Sequence, residues 1–332
     1  MKTIRYGIIG FGHHAIKRMV PGFLGAERSQ IAALYRRNPA KAAANAKDYS
    51  IPRVFNTAEE LCASPEIDAV FIASPDSLHL ADVLTAARHG KHVLCEKPLA
   101  MNAREVQEML AAAQSAGIRF GVAQNMRYYR SLDLVAKQLA DGIVGKPVMA
   151  HAQFCYEAEA SPRTWIYDPT LACGGPIGDV GIHCIDALRY VLETKVATVS
   201  MLALKDRHSG ALESKAVLGL TFTSGVMGAV TVTTRAAYRT LVEIVGESGV
   251  ITVENGLTVD QPIDVIVRQD GRVVSQAEVS NADAYSRMLD SFSDEINGTG
   301  QYRAPATDGL HNQRILDAAY QSWRTGATQN IS

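Results

Sequence analysis

The fold of the first part of the chain is decided by one stretch, Ile4-Arg5-Tyr6-Gly7-Ile8-Ile9-Gly10-Phe11-Gly12-His13-His14-Ala15. Its apolar run has the length of one strand, and a helical pattern opens directly after the glycines. In such a unit the first glycine permits a tight turn, the second lets a phosphate approach the backbone, and a small third residue packs helix on strand. Gly10, Gly12 and Ala15 hold those positions. The stretch therefore favours a dinucleotide site over an ordinary glycine turn, with phosphate at the helix N-terminus.

Beyond this unit, apolar runs continue to alternate with helical patterns as far as about residue 123. The further strand-like runs are Gln30–Tyr35, Ala69–Ala73, His92–Leu94 and Arg119–Ala123. Two helix starts carry the spacing of a capping box, Thr57 with Glu60 and Asn102 with Glu105. Repeated strand–helix–strand units require right-handed crossovers between parallel strands. Residues 1–123 are therefore predicted to form an α/β Rossmann domain, a doubly wound parallel sheet.

The rhythm changes after about residue 125, where strand-like runs follow one another without helices between them. Turn signals such as Ser224-Gly225 and Ser248-Gly249 separate several of these runs, which predicts hairpins. Helical patterns flank the group on both sides. The chain has 332 residues, more than the ~250–300 that one hydrophobic core usually supports. Residues 124–332 are therefore predicted to form a second, α+β domain with a large, open, mainly antiparallel sheet.

Composition excludes several classes of protein. The 33 Lys and Arg residues balance 34 Asp and Glu residues, so broad electrostatic binding to nucleic acid or to an anionic membrane is not expected. No apolar run approaches the ~20 residues of a membrane span. The five cysteines form no CxxC pair, and no histidine cluster has metal-ligand spacing, so neither a disulfide framework nor a metal site is predicted. No signal-peptide cleavage site is visible, and a cytoplasmic location is expected.

The end of the second predicted strand indicates which nicotinamide nucleotide would bind. An NAD site usually has an acidic residue there for the ribose 2′-hydroxyl, about 20 residues beyond the glycines. This chain has Tyr35-Arg36-Arg37-Asn38 instead. A guanidinium attracts a 2′-phosphate through charge-assisted hydrogen bonds, whereas a carboxylate would repel it. Arg36 and Arg37 therefore favour NADP as the cofactor, with NAD as the alternative.

Three further motifs occur in order along the chain. They are Ile72-Ala73-Ser74-Pro75-Asp76-Ser77-Leu78-His79, then Cys95-Glu96-Lys97-Pro98, then Gly174-Gly175-Pro176-Ile177-Gly178-Asp179-Val180-Gly181-Ile182-His183-Cys184-Ile185-Asp186. Together with the glycine turn they make a chain that resembles the Gfo/Idh/MocA family of nicotinamide-dependent oxidoreductases. The resemblance extends over nearly the whole sequence. It implies a Rossmann domain followed by a sheet domain whose open face forms a homodimer or homotetramer.

The resemblance also implies site residues. Lys97 matches the catalytic lysine of the family, and the Lys97–Pro98 peptide is expected to be cis. Asp179 and His183 match a pair that lies near the reacting carbon, while Arg127 and Trp165 match residues that line the substrate pocket. The residues expected to contact the cofactor are Gly10, Phe11, Gly12, His13, His14, Arg36, Arg37, Ser74, Pro75, His79, Glu96 and Lys97.

These residue types suit hydride transfer, in which a proton moves on or off a substrate oxygen as the hydride moves. A lysine at a strand end can stabilise developing alkoxide charge, and an imidazole exchanges protons near neutrality. Asp179 precedes His183 by four residues, so on an α-helix both would share one face. The expected roles are proton handling by Lys97 and His183 and orientation by Asp179. The sequence leaves open which of Lys97 and His183 is the ultimate acid.

The expected substrate is a sugar, keto-sugar or polyol, because the chain looks most like sugar reductases and dehydrogenases of the family. Two departures border the predicted substrate site: Pro176 stands where the family often has glycine, and Ile166 where it often has arginine. Substrate identity therefore does not transfer. Two alternatives stay open, a non-catalytic NADP-binding regulator and a glycosidase that uses nicotinamide transiently. Retention of Lys97, Asp179 and His183 argues against the regulator.

Overall fold

The computed structural model describes residues 2–159 and 161–331, and within them the long strands form two sheets. The strands of the first sheet are β1 (Ile4–Ile9), β2 (Ser29–Tyr35), β3 (Arg53–Phe55), β4 (Ala69–Ile72), β5 (His92–Cys95) and β6 (Phe120–Val122). Every neighbouring pair is parallel, in the order β3-β2-β1-β4-β5-β6. Ile8 and Ile9, which point to opposite faces of the central β1, are both buried, as a strand covered on both faces requires. The predicted Rossmann sheet is confirmed.

The helices of this part connect the strands. They are α1 (Val20–Leu24), α2 (Pro39–Asp48), α3 (Ala58–Ala63), α4 (His79–Arg88) and α5 (Ala103–Ser115), with a π-helical segment at Ala15–Met19 and a 3-10 turn at Asp76–Leu78. Both predicted capping starts are present. The Thr57 hydroxyl accepts a hydrogen bond from the Glu60 amide at 3.0 Å, and the Asn102 side chain accepts one from the Glu105 amide at 3.0 Å. These bonds satisfy N–H groups that a helix end leaves without a partner.

The second sheet is mixed and mainly antiparallel, as predicted. Its strands are β7 (Pro147–Glu157), β8 (Val196–Leu204), β9 (Lys215–Phe222), β10 (Met227–Thr233), β11 (Arg235–Gly246), β12 (Val250–Glu254), β13 (Ile263–Gln269), β14 (Arg272–Val279) and β15 (Gln329–Asn330). Their order is β14-β13-β12-β11-β7-β10-β9-β8-β15, and the β7–β10 pair is parallel. The predicted strands therefore lie in one sheet.

One face of this sheet is covered and the other is open. The helices α6 (Arg130–Ala140) and α7 (Ile182–Leu192) belong to the same part of the chain, and α7 packs on β7. Alternation along β9 buries Leu218 on the covered face and leaves Val217 on the open one. Met149 and Met227 are paired neighbours on the open face and are 54% and 59% exposed. Large apolar side chains are therefore exposed on this face of the sheet.

The chain divides into two compact units, and their boundary differs from the predicted one. The first unit contains the residues up to Gln124 together with Tyr285–Gln313; the second contains Asn125–Ala284 and the residues from Arg314 on. A single boundary near residue 123 was therefore wrong for Tyr285–Gln313. This segment holds most of α8 (Ala284–Ile296) and the first residues of α9 (Ala306–Thr325).

The reason for this assignment is long-range packing. The carboxylate of Asp290, on α8, accepts hydrogen bonds from the backbone amides of Glu27 and Arg28, both at 2.8 Å, at the start of β2. The Tyr6 hydroxyl of β1 lies 2.9 Å from the Ser293 hydroxyl, and both are buried. Met288, Leu289 and Phe292 on the same helix are completely buried. A helix that satisfies the backbone of one sheet belongs with that sheet, wherever it lies in the sequence.

Three kinds of feature are missing from residues 2–159 and 161–331. No three His, Cys, Asp or Glu side chains come together as a metal site would require. No helix there combines the length and the apolar character needed to cross a bilayer. The cysteines Cys62, Cys95, Cys155, Cys173 and Cys184 are all free thiols.

Candidate active site

The glycine turn follows β1, and two amides of the turn donate to the end of β2. The amides of Gly10 and Phe11 donate to the Tyr35 carbonyl at 3.1 and 3.2 Å. Gly10 has a φ of +85°, and a Cβ there would lie 2.4 Å from the Ser74 amide nitrogen. At Gly12 a Cβ would meet only the Gly10 carbonyl, at 3.8 Å. The protein's own packing therefore requires glycine at 10 but leaves space beside 12, which suits close approach of a pyrophosphate.

The other residues of the turn differ in how they could contact a nucleotide. Phe11 is fully buried, with its ring centroid 6.1 Å from that of Tyr49, so only its backbone is available. Ala15 is buried, as the third position of the pattern requires. His13 is exposed. His14 Nε2 lies 2.8 Å from Glu96 Oε1, so the glycine turn contacts the end of β5.

Arg36 and Arg37 directly follow β2, beside the glycine turn. Arg36 Nη1 donates to the Asn45 side-chain oxygen of α2 at 2.6 Å, which leaves the rest of its guanidinium for another acceptor. Arg37 is exposed. The next residue, Asn38, caps α2 by accepting from the Lys41 amide at 3.0 Å. No acidic residue occupies positions 35 to 38, and recognition of a 2′-phosphate by the two arginines stays a prediction.

His79 contacts the backbone of the segments that follow β4 and β5. The imidazole is completely buried; Nε2 lies 2.9 Å from the Ser74 carbonyl and Nδ1 lies 3.0 Å from the Pro98 carbonyl. No part of the His79 side chain is exposed, and its predicted contact with the cofactor stays a prediction. The side chain holds the Ser74–Pro75 segment against the turn that contains Lys97.

The same region explains how Ser74 and Lys97 are held. The Ser74 hydroxyl donates to Asp82 of α4 at 2.6 Å, and burial raises the pKa of Asp82. The Lys97–Pro98 peptide is cis, as expected. Glu96 and Pro98 are buried, whereas Lys97 is partly exposed. Lys97 is thus more exposed than its two neighbours, and its catalytic role stays a prediction.

In the second unit, Asp179 and His183 lie on a helix that changes type between them. Residues Ile177–Gly181 form a π-helical segment and α7 begins at Ile182. The segment from Asp179 to His183 is therefore not a regular α-helix throughout, and the shared face of the two side chains stays a prediction. His183 is 9% exposed. Segments of this kind occur frequently at functional sites.

Asp179 is held by two side chains that the sequence did not single out. Arg163 donates to both carboxylate oxygens, at 3.0 and 3.1 Å, and the Tyr156 hydroxyl donates to Oδ2. The Asp179 carboxylate raises the pKa of Arg163, and burial raises the pKa of Tyr156. Asp179 is therefore a fixed hydrogen-bond acceptor. The one sequence signal for Arg163 is its place two residues before Trp165.

The glycine-rich run before Asp179 is fixed by a buried carboxylate. Glu213 is 1% exposed and accepts from the amides of Gly175 and Ile177 at 3.2 and 3.1 Å and from the Tyr320 hydroxyl at 2.9 Å. Burial raises the pKa of Glu213. A Cβ on Gly174 would lie 1.8 Å from the Tyr320 hydroxyl. The glycines are therefore needed for this contact, and no local pattern predicts Glu213 or Tyr320.

The two predicted pocket residues are placed differently. The Arg127 guanidinium donates to both oxygens of Asp186 at 2.8 and 2.7 Å, and both side chains are buried. Arg127 thus ties its 3-10 turn, Asn125–Tyr128, to α7. Trp165 lies in the 3-10 segment Thr164–Tyr167 and is partly exposed. Direct substrate contact by either residue stays a prediction.

A small pocket lies beside Asp179 within the second unit. Its lining residues are Tyr156, Ile166, Tyr167, Gly175, Pro176, Asp179, Leu212, Glu213 and Thr234. Ile166 and Pro176, the two positions that depart from the family pattern, are both in this lining. The departures therefore change the surface around Asp179, which bears on substrate choice.

Family comparisons agree with this arrangement of motifs. Residues 4–124 match the Gfo/Idh/MocA model described as an oxidoreductase family with an NAD-binding Rossmann fold, and residues 133–252 match the Gfo/Idh/MocA C-terminal domain. The chain belongs to the Gfo/Idh/MocA family. The predicted family, fold class and oxidoreductase activity are thereby confirmed.

Individual members of the Gfo/Idh/MocA family are similar over their full length. The 1,5-anhydro-D-fructose reductase of Ensifer adhaerens is 29% identical, covering 98% of both chains. The D-xylose 1-dehydrogenase (NADP(+)) 2 of Haloferax volcanii is 27% identical, covering 98% of this chain and 99% of the relative. Among solved structures, the aldose-aldose oxidoreductase of Caulobacter crescentus, complexed with glycerol, has a TM-score of 0.91 and 26% identity, covering 99% of this chain and 100% of that one.

Proposed function

We propose that this protein is an NADP(H)-dependent oxidoreductase that transfers hydride to or from a sugar, keto-sugar or polyol. The observation that carries the proposal is the glycine turn bonded to the end of β2, with Arg36 and Arg37 following directly and no acid beside them. The xylose dehydrogenase relative is named as an NADP(+) enzyme, and all three relatives reported above are named as oxidoreductases.

The residues present fit a dinucleotide. The turn from Gly10 to Ala15 would hold the pyrophosphate, and the space beside Gly12 admits it. Arg36 and Arg37 would hold the 2′-phosphate by charge-assisted hydrogen bonds. Ser74, Pro75 and the Glu96–Lys97 turn would lie along the nicotinamide end, with His79 fixing their backbone. When bound, the cofactor supplies the hydride at its nicotinamide ring. NAD is the alternative cofactor.

Three side chains of this chain would serve the proton and the substrate. Lys97 would stabilise charge on the reacting oxygen and, with His183, move its proton. Asp179 would orient the substrate by accepting a hydrogen bond from a hydroxyl, because Arg163 and Tyr156 hold it as an acceptor. Trp165 and Arg127 are retained as substrate-side residues, Arg127 acting through its buried pair with Asp186.

The test of the function is a spectrophotometric assay of the purified protein with NADPH and NADP against a panel of aldoses, ketoses, anhydro-sugars and polyols. Reduced-nicotinamide absorbance should change with at least one carbohydrate. Binding of NADP without any absorbance change would support a regulator instead. Release of a free sugar from a glycoside without net oxidation would support the glycosidase. A change seen only with NAD would overturn the cofactor assignment.

Cofactor preference should depend on the two arginines. Replacing Arg36 and Arg37 together by Ala should raise the Kd for NADP by roughly 10²-fold, because two charge-assisted contacts to the phosphate are lost. The Kd for NAD should change much less, since NAD has no such phosphate. Isothermal titration with both nucleotides measures this. Arg53→Ala is the matched control, being an exposed arginine paired with Glu66. Equal losses for the two nucleotides would refute the assignment.

The open face of the second sheet is proposed to form a homodimer or homotetramer. Met149 and Met227 lie side by side on that face, and their exposure is unusual for large apolar side chains. Replacing both by Glu should convert the oligomer to monomer, because charge would be buried in an apolar contact. Sedimentation velocity measures the mass. A wild-type monomer, or an unchanged oligomer in the variant, would contradict this proposal.

A further inference from the structure

Arg163 binds the Asp179 carboxylate through both of its terminal nitrogens. Its Nη1 donates to Asp179 Oδ1 at 3.0 Å and its Nη2 donates to Asp179 Oδ2 at 3.1 Å. This is the two-pronged geometry in which a planar guanidinium fixes both the position and the plane of a carboxylate. Nη2 also donates to the Tyr156 hydroxyl at 3.3 Å. One guanidinium thus sets the orientation of Asp179 and of the phenol that shares it.

Three separate elements meet at this carboxylate. Tyr156 comes from β7, Arg163 precedes the 3-10 segment that holds Trp165, and Asp179 lies in the π-helical segment before α7. The Asp179 side chain is 13% exposed and that of Arg163 is 26% exposed. An ion pair at this depth is less screened by solvent than a surface pair and holds its geometry better.

The groups around the Asp179 carboxylate are a cation and a neutral hydrogen-bond donor. The Coulombic attraction of Asp179 raises the pKa of Arg163, and burial followed by the Asp179 charge raises the pKa of Tyr156. Arg163 is therefore a cation and Tyr156 a neutral donor across the ordinary pH range. The other titratable groups that line the same pocket are Tyr167 and Glu213, and Arg235 lies 5.8 Å from the Tyr167 ring. Glu213 is already occupied by backbone amides and Tyr320.

We propose that Arg163 is a positioning residue that, with Tyr156, holds Asp179 in a fixed orientation as the acceptor for a substrate hydroxyl. Asp179 then contributes to binding and orientation of the substrate and does not pass protons to it, which leaves the proton to Lys97 and His183. The inference rests on the proposed function. It gives a reason why Asp179 would orient the substrate while His183 would move the proton.

A double-mutant cycle tests the proposal. Arg163→Ala should lower kcat/KM by roughly 10²-fold, because a carboxylate without its guanidinium loses its fixed orientation. Asp179→Asn should cause a loss of similar size. The double variant should be no worse than the poorer single variant, since residues that act as one unit are not additive. The Kd for NADP should stay within about twofold throughout.

Conservative variants separate positioning from folding. Arg163→Lys keeps the charge but loses the two-pronged geometry. Its kcat/KM should therefore be roughly tenfold higher than that of Arg163→Ala. Added guanidinium ion should partly restore the Ala variant and leave Asp179→Asn unchanged. Arg130→Ala is the matched control, an exposed arginine paired with Asp283. It should behave as wild type.

The outcomes distinguish failure of the role of Arg163 from failure of the proposed function. The role of Arg163 would be overturned by additive losses in the cycle or by a change in kcat/KM below twofold in Arg163→Ala. It would also be overturned by equal losses in the Lys and Ala variants without guanidinium rescue. In each of these cases, turnover by the wild-type protein would still support the proposed function. A wild-type protein that turns over no carbohydrate with either nucleotide would overturn the proposed function, and this inference with it. Non-additivity with rescue supports both.

Discussion

Replacing Lys97 by Ala or Gln should lower kcat by about 10²–10⁴-fold, the range typical of losing a proton-transferring side chain. The lysine is partly exposed at the end of β5, while Glu96 and Pro98 beside it are buried. Its backbone is held by neighbours, since His79 contacts the Pro98 carbonyl. Removing the side chain should therefore leave the strand end intact, and the Kd for NADP should change little.

Steady-state kinetics with the best substrate of the carbohydrate panel measures the effect. Lys137→Ala is the matched control, because that lysine is exposed and pairs with Asp141 four residues away on α6. The control should keep wild-type turnover. Near-normal kcat in the Lys97 variants would remove Lys97 from the mechanism. A loss confined to nucleotide affinity would make it a cofactor-binding residue alone.

Gly10→Ala should have the largest effect on the nucleotide-binding unit. The φ of +85° is costly for any residue with a Cβ, and the new carbon would lie 2.4 Å from the Ser74 amide nitrogen and 2.6 Å from the Ala73 carbonyl carbon. Both obstacles are backbone atoms of the neighbouring strand end and cannot move aside separately. The free energy of unfolding should fall by at least about 2 kcal/mol. NADP binding should be lost with the geometry of the turn.

Two other glycines supply controls for this variant. Gly90 has a φ of +64° with nothing within 4 Å of its Cβ position, so Gly90→Ala isolates the cost of φ alone. Gly12→Ala meets only the Gly10 carbonyl at 3.8 Å, so it should keep the stability of wild type and weaken NADP binding. Chemical denaturation and titration calorimetry measure the two quantities. Unchanged stability in Gly10→Ala, or unchanged NADP affinity in Gly12→Ala, would contradict this account of the turn.

Short sequence patterns were sufficient to predict strands and helix starts that depend on neighbouring residues in the sequence. The apolar run Ile4–Ile9 is a central strand because both of its faces are buried, and Thr57 and Asn102 begin helices because their side chains satisfy nearby amides. The strand-like runs predicted after residue 125 end with Val250–Glu254, so β13 and β14 were not predicted, although Asp270-Gly271 marks the turn between them. Several residues of β14 are exposed, and such a weakly apolar run gives a poor periodic signal.

Long-range contacts account for what the sequence could not reveal. Glu213 is 38 residues from Gly175, and Asp290 is 263 residues from Glu27, so no spacing rule connects them. Arg163 illustrates the same limit within the candidate site, because only the fold shows that it meets Asp179. His79 was predicted from its motif, but its burial against two carbonyl oxygens gives it a different place from the one expected.

The return of Tyr285–Gln313 to the first unit has a practical consequence for dissecting this molecule. A recombinant fragment that stops at residue 124 would keep every strand of the parallel sheet yet lack Asp290 and Ser293. Without those side chains, water would have to replace Asp290 as the partner of the Glu27 and Arg28 amides. It would also have to replace Ser293 as a partner of the Tyr6 hydroxyl. Nucleotide-binding studies on an isolated half should therefore splice residues 285–313 onto the truncated chain.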